Sequence, residues 1–239
     1  MTTTSKTKST DANGKKRGSG VSMVYETLRR EIIDLTLPPG SPIDEVQLSE
    51  RFALSRTPIR EALVRLAAEN LITTLTNRAT IVSQIDFLNL SSFFDALTLM
   101  YRVTTREAAI NRTADDMVVI RAKQAEFAKS VEARDALELI ATNRDFHVAI
   151  AQAGGNKYFT DLHTRLLDEG RRILRLYYSS FNDTLPRQYV TEHEDMIDAI
   201  EAGDVARADK LATEHADQIV SQIQSYISAD RRNSAALAL

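Results

Sequence analysis

Four histidines, His147, His163, His193 and His215, are the residues of this chain best suited to chemistry near neutral pH. A neutral imidazole can carry a proton, and it is the commonest side-chain ligand of first-row metals. Asn143 and His147 are four residues apart, which on a helix places them on one face. His193 lies within Glu192-His193-Glu194-Asp195-Met196-Ile197, and His215 within Thr213-Glu214-His215-Ala216. Imidazoles joined by an oxygen donor would suit zinc, nickel or a similar divalent ion. Taken singly, each histidine is more often a surface or hydrogen-bonded core residue than a ligand, and spacing alone does not unite residues so far apart. Arg172 and Arg175, about one turn apart, could grip a carboxylate. The ordinary alternative is a charged helix face in ion pairs with its neighbours.

A second constellation carries a different chemistry. Leu48–Leu71 reads LSERFALSRTPIREALVRLAAENL. A short amphipathic turn ends at Leu54, and a helix starts at Ser55-Arg56-Thr57-Pro58. Ser55 can cap that helix, and Pro58 falls early, where a missing N–H costs nothing. Ile59, Leu63, Leu66 and Ala67 follow at helical spacing as a buried stripe. Arg56, Thr57 and Arg60 crowd the front end, off the stripe. A short helix, a tight turn and a second helix with Arg and Thr at its front is the plan of a helix-turn-helix. An arginine fork fits guanine O6/N7, and a threonine methyl can touch thymine. An ordinary helical hairpin with solvated arginines is the competing reading.

The elements that must hold these groups follow from the rest of the chain. Its 239 residues, 43 % of them hydrophobic, allow one or two domains with a true core. With no cysteine, disulfides and thiolate zinc sites are excluded. No apolar run approaches a membrane span and no signal-peptide core opens the chain, which points to a cytoplasmic protein with no membrane partner. The formal net charge of −3 neither announces nor forbids nucleic acid, since a local basic face suffices.

Residues 1–20 are polar and basic and read as a disordered tail, a loose electrostatic arm in its functional version. A first helix runs Val24–Leu35, with Val24, Leu28, Ile32 and Leu35 on one side. Leu37-Pro38-Pro39-Gly40-Ser41-Pro42 breaks it, and Asp44 caps the next helix. Leu71–Ile85 is rich in Ile, Thr and Val around Thr76-Asn77-Arg78-Ala79, a hairpin that would form the wing of a winged helix over residues 21–85. Arg78 at its tip would reach a phosphate or the minor groove. From Asp86 the periodicity is helical throughout: Asp86–Arg112, Ala114–Ala133, Asp135–Ala153, Asn156–Phe181, Pro186–Ala202 and Asp204–Ile227. Thr113 and Asp135 are caps, and Gly154-Gly155, Asn182-Asp183-Thr184-Leu185-Pro186 and Gly203-Asp204 are breaks. The fold class is mainly α, a winged helix-turn-helix followed by an all-α bundle of six or seven helices over 86–228. Residues 229–239 read as a flexible tail.

SRTPIREALVRLAAENL, with LPPGSPIDEVQLSERFAL before it, closely resembles the recognition-helix signature of the GntR family of bacterial transcription regulators. The resemblance covers Val24 to Ile85 and is without gaps through the turn, the proline and both arginines. It implies DNA contacts from Ser55, Arg56, Thr57, Pro58, Arg60 and Arg78. Val46 departs from the arginine that many members of the fatty-acid-responsive branch carry there, which puts more of the affinity on Arg56, Arg60 and the wing. Residues 86–228 are similar to the FCD effector domain of the FadR branch of that family. Asn143-Arg144-Asp145-Phe146-His147 and the block from Glu192-His193 through Ile197-Asp198-Ala199-Ile200 to Gly203-Asp204 carry that likeness, and His215 falls where the domain's last histidine falls. The resemblance implies that Asn143, His147, His193 and His215 hold a divalent ion, zinc or nickel, while His163 matches no ligand position. Asn143 stands where the family usually has Asp. A neutral amide leaves the ion one more unit of positive charge, which favours an anionic ligand. Leu97 and Tyr101 stand where many members have Arg and Glu, so the effector pocket differs from the common one. Tyr101, Arg172 and Arg175 are its candidate contacts.

The function implied is a homodimeric regulator, a repressor by the commoner family role, on a two-fold symmetric double-stranded operator. A small organic acid beside the metal would tune DNA binding by preferring one arrangement of the dimer. Three rivals stand beside it. A metal hydrolase would need a general base and a substrate grip, and no HExxH, P-loop, dinucleotide loop or nucleophile elbow is present. A metal-free FCD domain would use the bundle with another ligand. In the last reading the metal is itself the signal.

Overall fold

The computed structural model describes the backbone of residues 11–76, 78–179 and 188–236. Side chains are described from 19 to 225 within those ranges, except at 176, 177 and 179. The chain forms two compact units, Met1–Gln84 and Ile85–Leu239.

The first unit holds α1 (Asp11–Ile33), β1 (Pro42–Ile43), α2 (Glu45–Phe52), α3 (Arg56–Ala68), β2 (Ile72–Thr74) and β3 (Thr80–Val82). Val24, Leu28 and Ile32 are fully buried on α1, the stripe their spacing predicts. Asp44 caps α2 by accepting from the Val46 and Gln47 amides. Ala53 turns left-handed, φ 51°, and sets the sharp corner into α3. Ser55 is the N-cap of α3, but its hydroxyl makes no capping bond. The buried stripe of α3 is Pro58, Ile59, Ala62, Leu63 and Leu66. Ala67 is exposed, because one further residue turns about 100° past Leu66. The hairpin forms as expected, with Ile72 opposite Val82 and Thr74 opposite Thr80. β1 adds to its other edge, pairing Pro42 with Ile81 and giving the order β1-β3-β2. The proline-rich stretch thus ends one helix and also starts a strand at a sheet edge, where a missing N–H is tolerated.

α1 begins earlier than Val24, inside the stretch read as a tail, and residues 1–10 lie outside the described residues. At the other end α9 continues to Ala236, past the point where fraying was expected. Alanine and arginine there are strong helix formers.

Among the described residues the second unit holds six helices: α4 (Leu90–Asn111), α5 (Ala114–Ala133), α6 (Ala136–Ala153), α7 (Lys157–Ser179), α8 (Gln188–Ala202) and α9 (Val205–Ala236). Asp86 accepts from the Leu88 and Asn89 amides in a turn that delays α4 by four residues. Thr113 and Asp116 form a reciprocal capping box, and Asp135 caps α6. The break expected at Asn182–Pro186 lies outside the described residues. Gly203 (φ 69°) ends α8 where a Cβ would meet the Arg112 guanidinium at 2.9 Å. α4 is central and packs on α6, α7, α8 and α9. Arg102 clamps it to α9 through two 3.0 Å bonds to Asp209. Among the described residues no helix is long and apolar enough to cross a membrane.

Candidate functional site

Three helices that are distant in sequence bring His147 (α6), His193 (α8) and His215 (α9) together inside the second unit. Their ligating nitrogens all lie within 4.8 Å of one another, and each residue is at most 2 % exposed. Ring centroids are 4.9 Å apart for His147–His193, 5.2 Å for His147–His215 and 5.0 Å for His193–His215. An ion about 2.1 Å from each nitrogen lies about 3.2 Å from each ring centre, so tetrahedral angles would space the rings about 5.2 Å apart. The observed triangle fits.

The hydrogen-bond pattern fixes which nitrogen faces inward. Gln124 on α5 is 7 % exposed, and its Nε2 donates to the Val190 carbonyl at 3.0 Å. That leaves Oε1 as an acceptor 3.0 Å from His193 Nδ1, so Nδ1 carries the proton. His215 Nδ1 lies 3.0 Å from Glu192 Oε2, and a carboxylate can only accept. The Nε2 atoms of His147, His193 and His215 are buried with no hydrogen-bond partner. A buried lone pair without a partner is costly. Three such atoms on clustered histidines form a set that could hold a divalent ion, and hydrogen bonds already orient two of the rings.

Packing locks the rings further. Phe146 stacks on His193 at 4.1 Å and 19°, and Phe127 lies 4.6 Å from it. Tyr101 stands edge-on to His147 at 4.6 Å and to His215 at 5.6 Å. Burial pushes the pKa of His147 and of His193 well below the usual imidazole value, and neighbouring histidines add to it. Both rings are therefore neutral and available as ligands.

Asn143 is buried one turn before His147 and interacts with the Tyr101 side chain. Tyr101 is 3 % exposed, and burial raises its pKa above that of a free phenol. It also lines a cleft together with Phe93, Leu97, Leu167, Gly170 and Ile173. Arg172 is buried and Arg175 half-buried, and neither lines that cleft. Position 172 is two residues from Gly170, about 200° around α7. Desolvation lowers the pKa of Arg172.

Gln124 and Glu192 were not singled out as orienting groups from sequence. Gln124 had a legible signal: it occupies a polar slot in the otherwise apolar stripe Ile120, Phe127, Val131.

On the first unit, Ser55, Arg56, Thr57 and Arg60 are exposed at the front of α3, and Val46 is 44 % exposed on α2. Pro58 is buried, so it shapes the turn and offers no contact surface. Arg60 Nε is held by Glu45 Oε2 at 2.8 Å. Arg78 is exposed at the hairpin tip with φ 66°, and its amide donates to the Leu75 carbonyl at 2.9 Å.

Two family comparisons match this architecture. Residues 21–82 match "Bacterial regulatory proteins, gntR family", and residues 93–218, more than half of the chain, match the FCD domain. The chain belongs to the GntR family of bacterial regulatory proteins and carries an FCD domain. It is 28 % identical over 198 residues to the HTH-type transcriptional repressor GlaR of Escherichia coli, covering 80 % of this chain and 90 % of that one. It is 23 % identical over 202 residues to the HTH-type transcriptional repressor RspR of Escherichia coli, covering 84 % and 87 %. The solved structure of E. coli McbR/YncC superposes with a TM-score of 0.73 at 21 % identity, over 87 % of this chain and 98 % of that one. These comparisons make the GntR protein described here a DNA-binding transcription regulator rather than an enzyme.

Proposed function

We propose that this GntR protein is a repressor that binds a two-fold symmetric operator as a homodimer in the cytoplasm. A small anionic effector, bound beside a divalent ion in the FCD domain, controls that binding. The observation that carries the reading is the trio of buried, unpartnered Nε2 atoms on His147, His193 and His215. Zinc or nickel suits an all-imidazole set. Bound there, the ion would offer Lewis acidity and positive charge to an anion. Asn143 adds a neutral oxygen, so no carboxylate of the four residues offsets that charge, and an acid is the ligand the site favours.

The chain's own groups then divide the work. Gln124 and Glu192 orient two of the imidazoles, and Tyr101 walls the pocket. An acid that binds one arrangement of the dimer more tightly shifts its population and with it operator affinity. Arg56 and Arg60, with Thr57, read base edges, while Arg78 meets the backbone.

The metal-free alternative has one observation in its favour. Asn143 supplies a neutral amide, which binds an ion more weakly than a carboxylate, and it interacts with the buried Tyr101 side chain. Elemental analysis of tag-free protein separates the two. About one ion per chain, lost in His193→Ala, supports the metal reading. No ion even after soaking with zinc sinks it, while operator binding stays testable by itself.

A further inference from the structure

His163, which matches no ligand position, does not sit idle. It is 1 % exposed on α7, and its Nε2 is the fourth buried histidine nitrogen among the described residues that has no hydrogen-bond partner. Its other nitrogen settles its state. Nδ1 lies 3.1 Å from Thr104 Oγ1. The single hydroxyl hydrogen of Thr104 is directed to the Met100 carbonyl at 2.7 Å. The threonine oxygen can then only accept, so His163 Nδ1 is the donor. Burial lowers its pKa to about 3, which keeps the ring neutral. Nε2 is therefore a fixed, bare acceptor.

Its position excludes one role and suits another. The ring stands edge-on to Tyr101 at 4.9 Å and lies 6.4 Å from the His147 ring. The trio's own spacings run from 4.9 to 5.2 Å, and His163 stands outside that group. It is too far to share the ion at tetrahedral angles and close enough to His147 for one oxygen to intervene. We propose that His163 Nε2 accepts a hydrogen bond from a protonated oxygen ligand, water in the resting protein, on the ion held by His147, His193 and His215.

This rests on the metal reading and deepens it. His163 becomes a specificity-determining group and not a ligand. An incoming molecule that places a hydroxyl or other donor there keeps the bond. One that places a bare carboxylate oxygen there leaves a buried acceptor orphaned, a loss of roughly tenfold in affinity.

The test uses the full-length protein loaded with cobalt(II), whose visible absorption reports coordination number and ligand field. Wild type, His163→Phe and His163→Gln are compared. The expected result is one cobalt per chain in all three. The spectrum changes in His163→Phe, where nothing holds the oxygen, and a near-wild-type spectrum returns in His163→Gln, whose amide oxygen can accept. Identical spectra in wild type and His163→Phe would overturn the inference. So would an equal change in both variants, which marks packing, or a folded His163→Phe that takes up no cobalt, which makes His163 a ligand. Wild type that binds no cobalt is a different failure, because it removes the metal reading and this inference with it.

Discussion

His193 Nδ1 lies 3.0 Å from Gln124 Oε1, and Gln124 is turned to meet it by the bond its own amide donates to the Val190 carbonyl at 3.0 Å. One backbone carbonyl thereby decides which nitrogen of His193 faces the pocket. Glu192 performs the same service for His215.

Removing these orienting groups should weaken the site without abolishing it. Gln124→Ala and Glu192→Gln should each lower zinc affinity by roughly 10- to 100-fold while leaving one ion per chain at saturation. Competition against a chromophoric chelator measures this. Wild-type affinity in both variants would show that the bonds do not steer the rings.

Base and phosphate contacts should separate under salt. Arg56→Ala and Arg60→Ala should each cost about 1–3 kcal/mol in specific operator binding, with the fold intact. Arg78→Ala should weaken specific and non-specific DNA alike and reduce the salt slope by about one. Glu45→Ala tests the pair that holds Arg60. Exposed pairs of this kind are worth about 0–1 kcal/mol, so the variant should bind DNA at least as well as wild type in a fluorescence-anisotropy titration.

Acid should destabilise the metal-free protein in a defined window. His147, His163 and His193 have folded-state pKa values held down by burial, that of His163 to about 3. The unfolded chain binds protons at these groups from about pH 6.5 downward, while the folded chain resists. The stability they support is complete above that value and is lost progressively as pH falls below about 6.5, for His163 down to about pH 3. Each group contributes a slope of up to about 1.4 kcal/mol per pH unit. Urea melts of chelator-treated protein at pH 7.5, 6 and 5 check the sign, and a midpoint that stays level would refute it.

Core and surface substitutions should differ sharply. Phe146→Ala removes a fully buried ring stacked on His193 and should cost about 3–5 kcal/mol. Arg102→Ala breaks a two-point pair that is part exposed and should cost about 1 kcal/mol or less. Thermal denaturation of the two variants, read side by side, decides this.

Much of the architecture was legible because its signals are local. Asp44, Thr113 and Asp135 cap where short polar residues precede apolar runs, and Gly203 ends a helix where only positive φ fits. The hairpin followed from β-branched runs about a turn. β1 was missed because two residues carry no period, and Ala67 was misplaced by one position in a helical stripe. The pocket was less legible. His147, His193 and His215 meet only through tertiary packing, and their union was expected from family likeness rather than from spacing. His163 was set aside for the same reason, since nothing local shows that Thr104, 59 positions earlier, will fix its tautomer.

The pocket is built from ring nitrogens in a chain with no cysteine. No thiolate stands in it to be taken to sulfenic acid, capped by glutathione or closed into a disulfide. Peroxide therefore has no sulfur ligand to attack there, and the cell's redox poise has no handle on the histidine donors. If an ion sits there, it is held without sulfur and is deaf to the oxidants that silence thiol-ligated sensors.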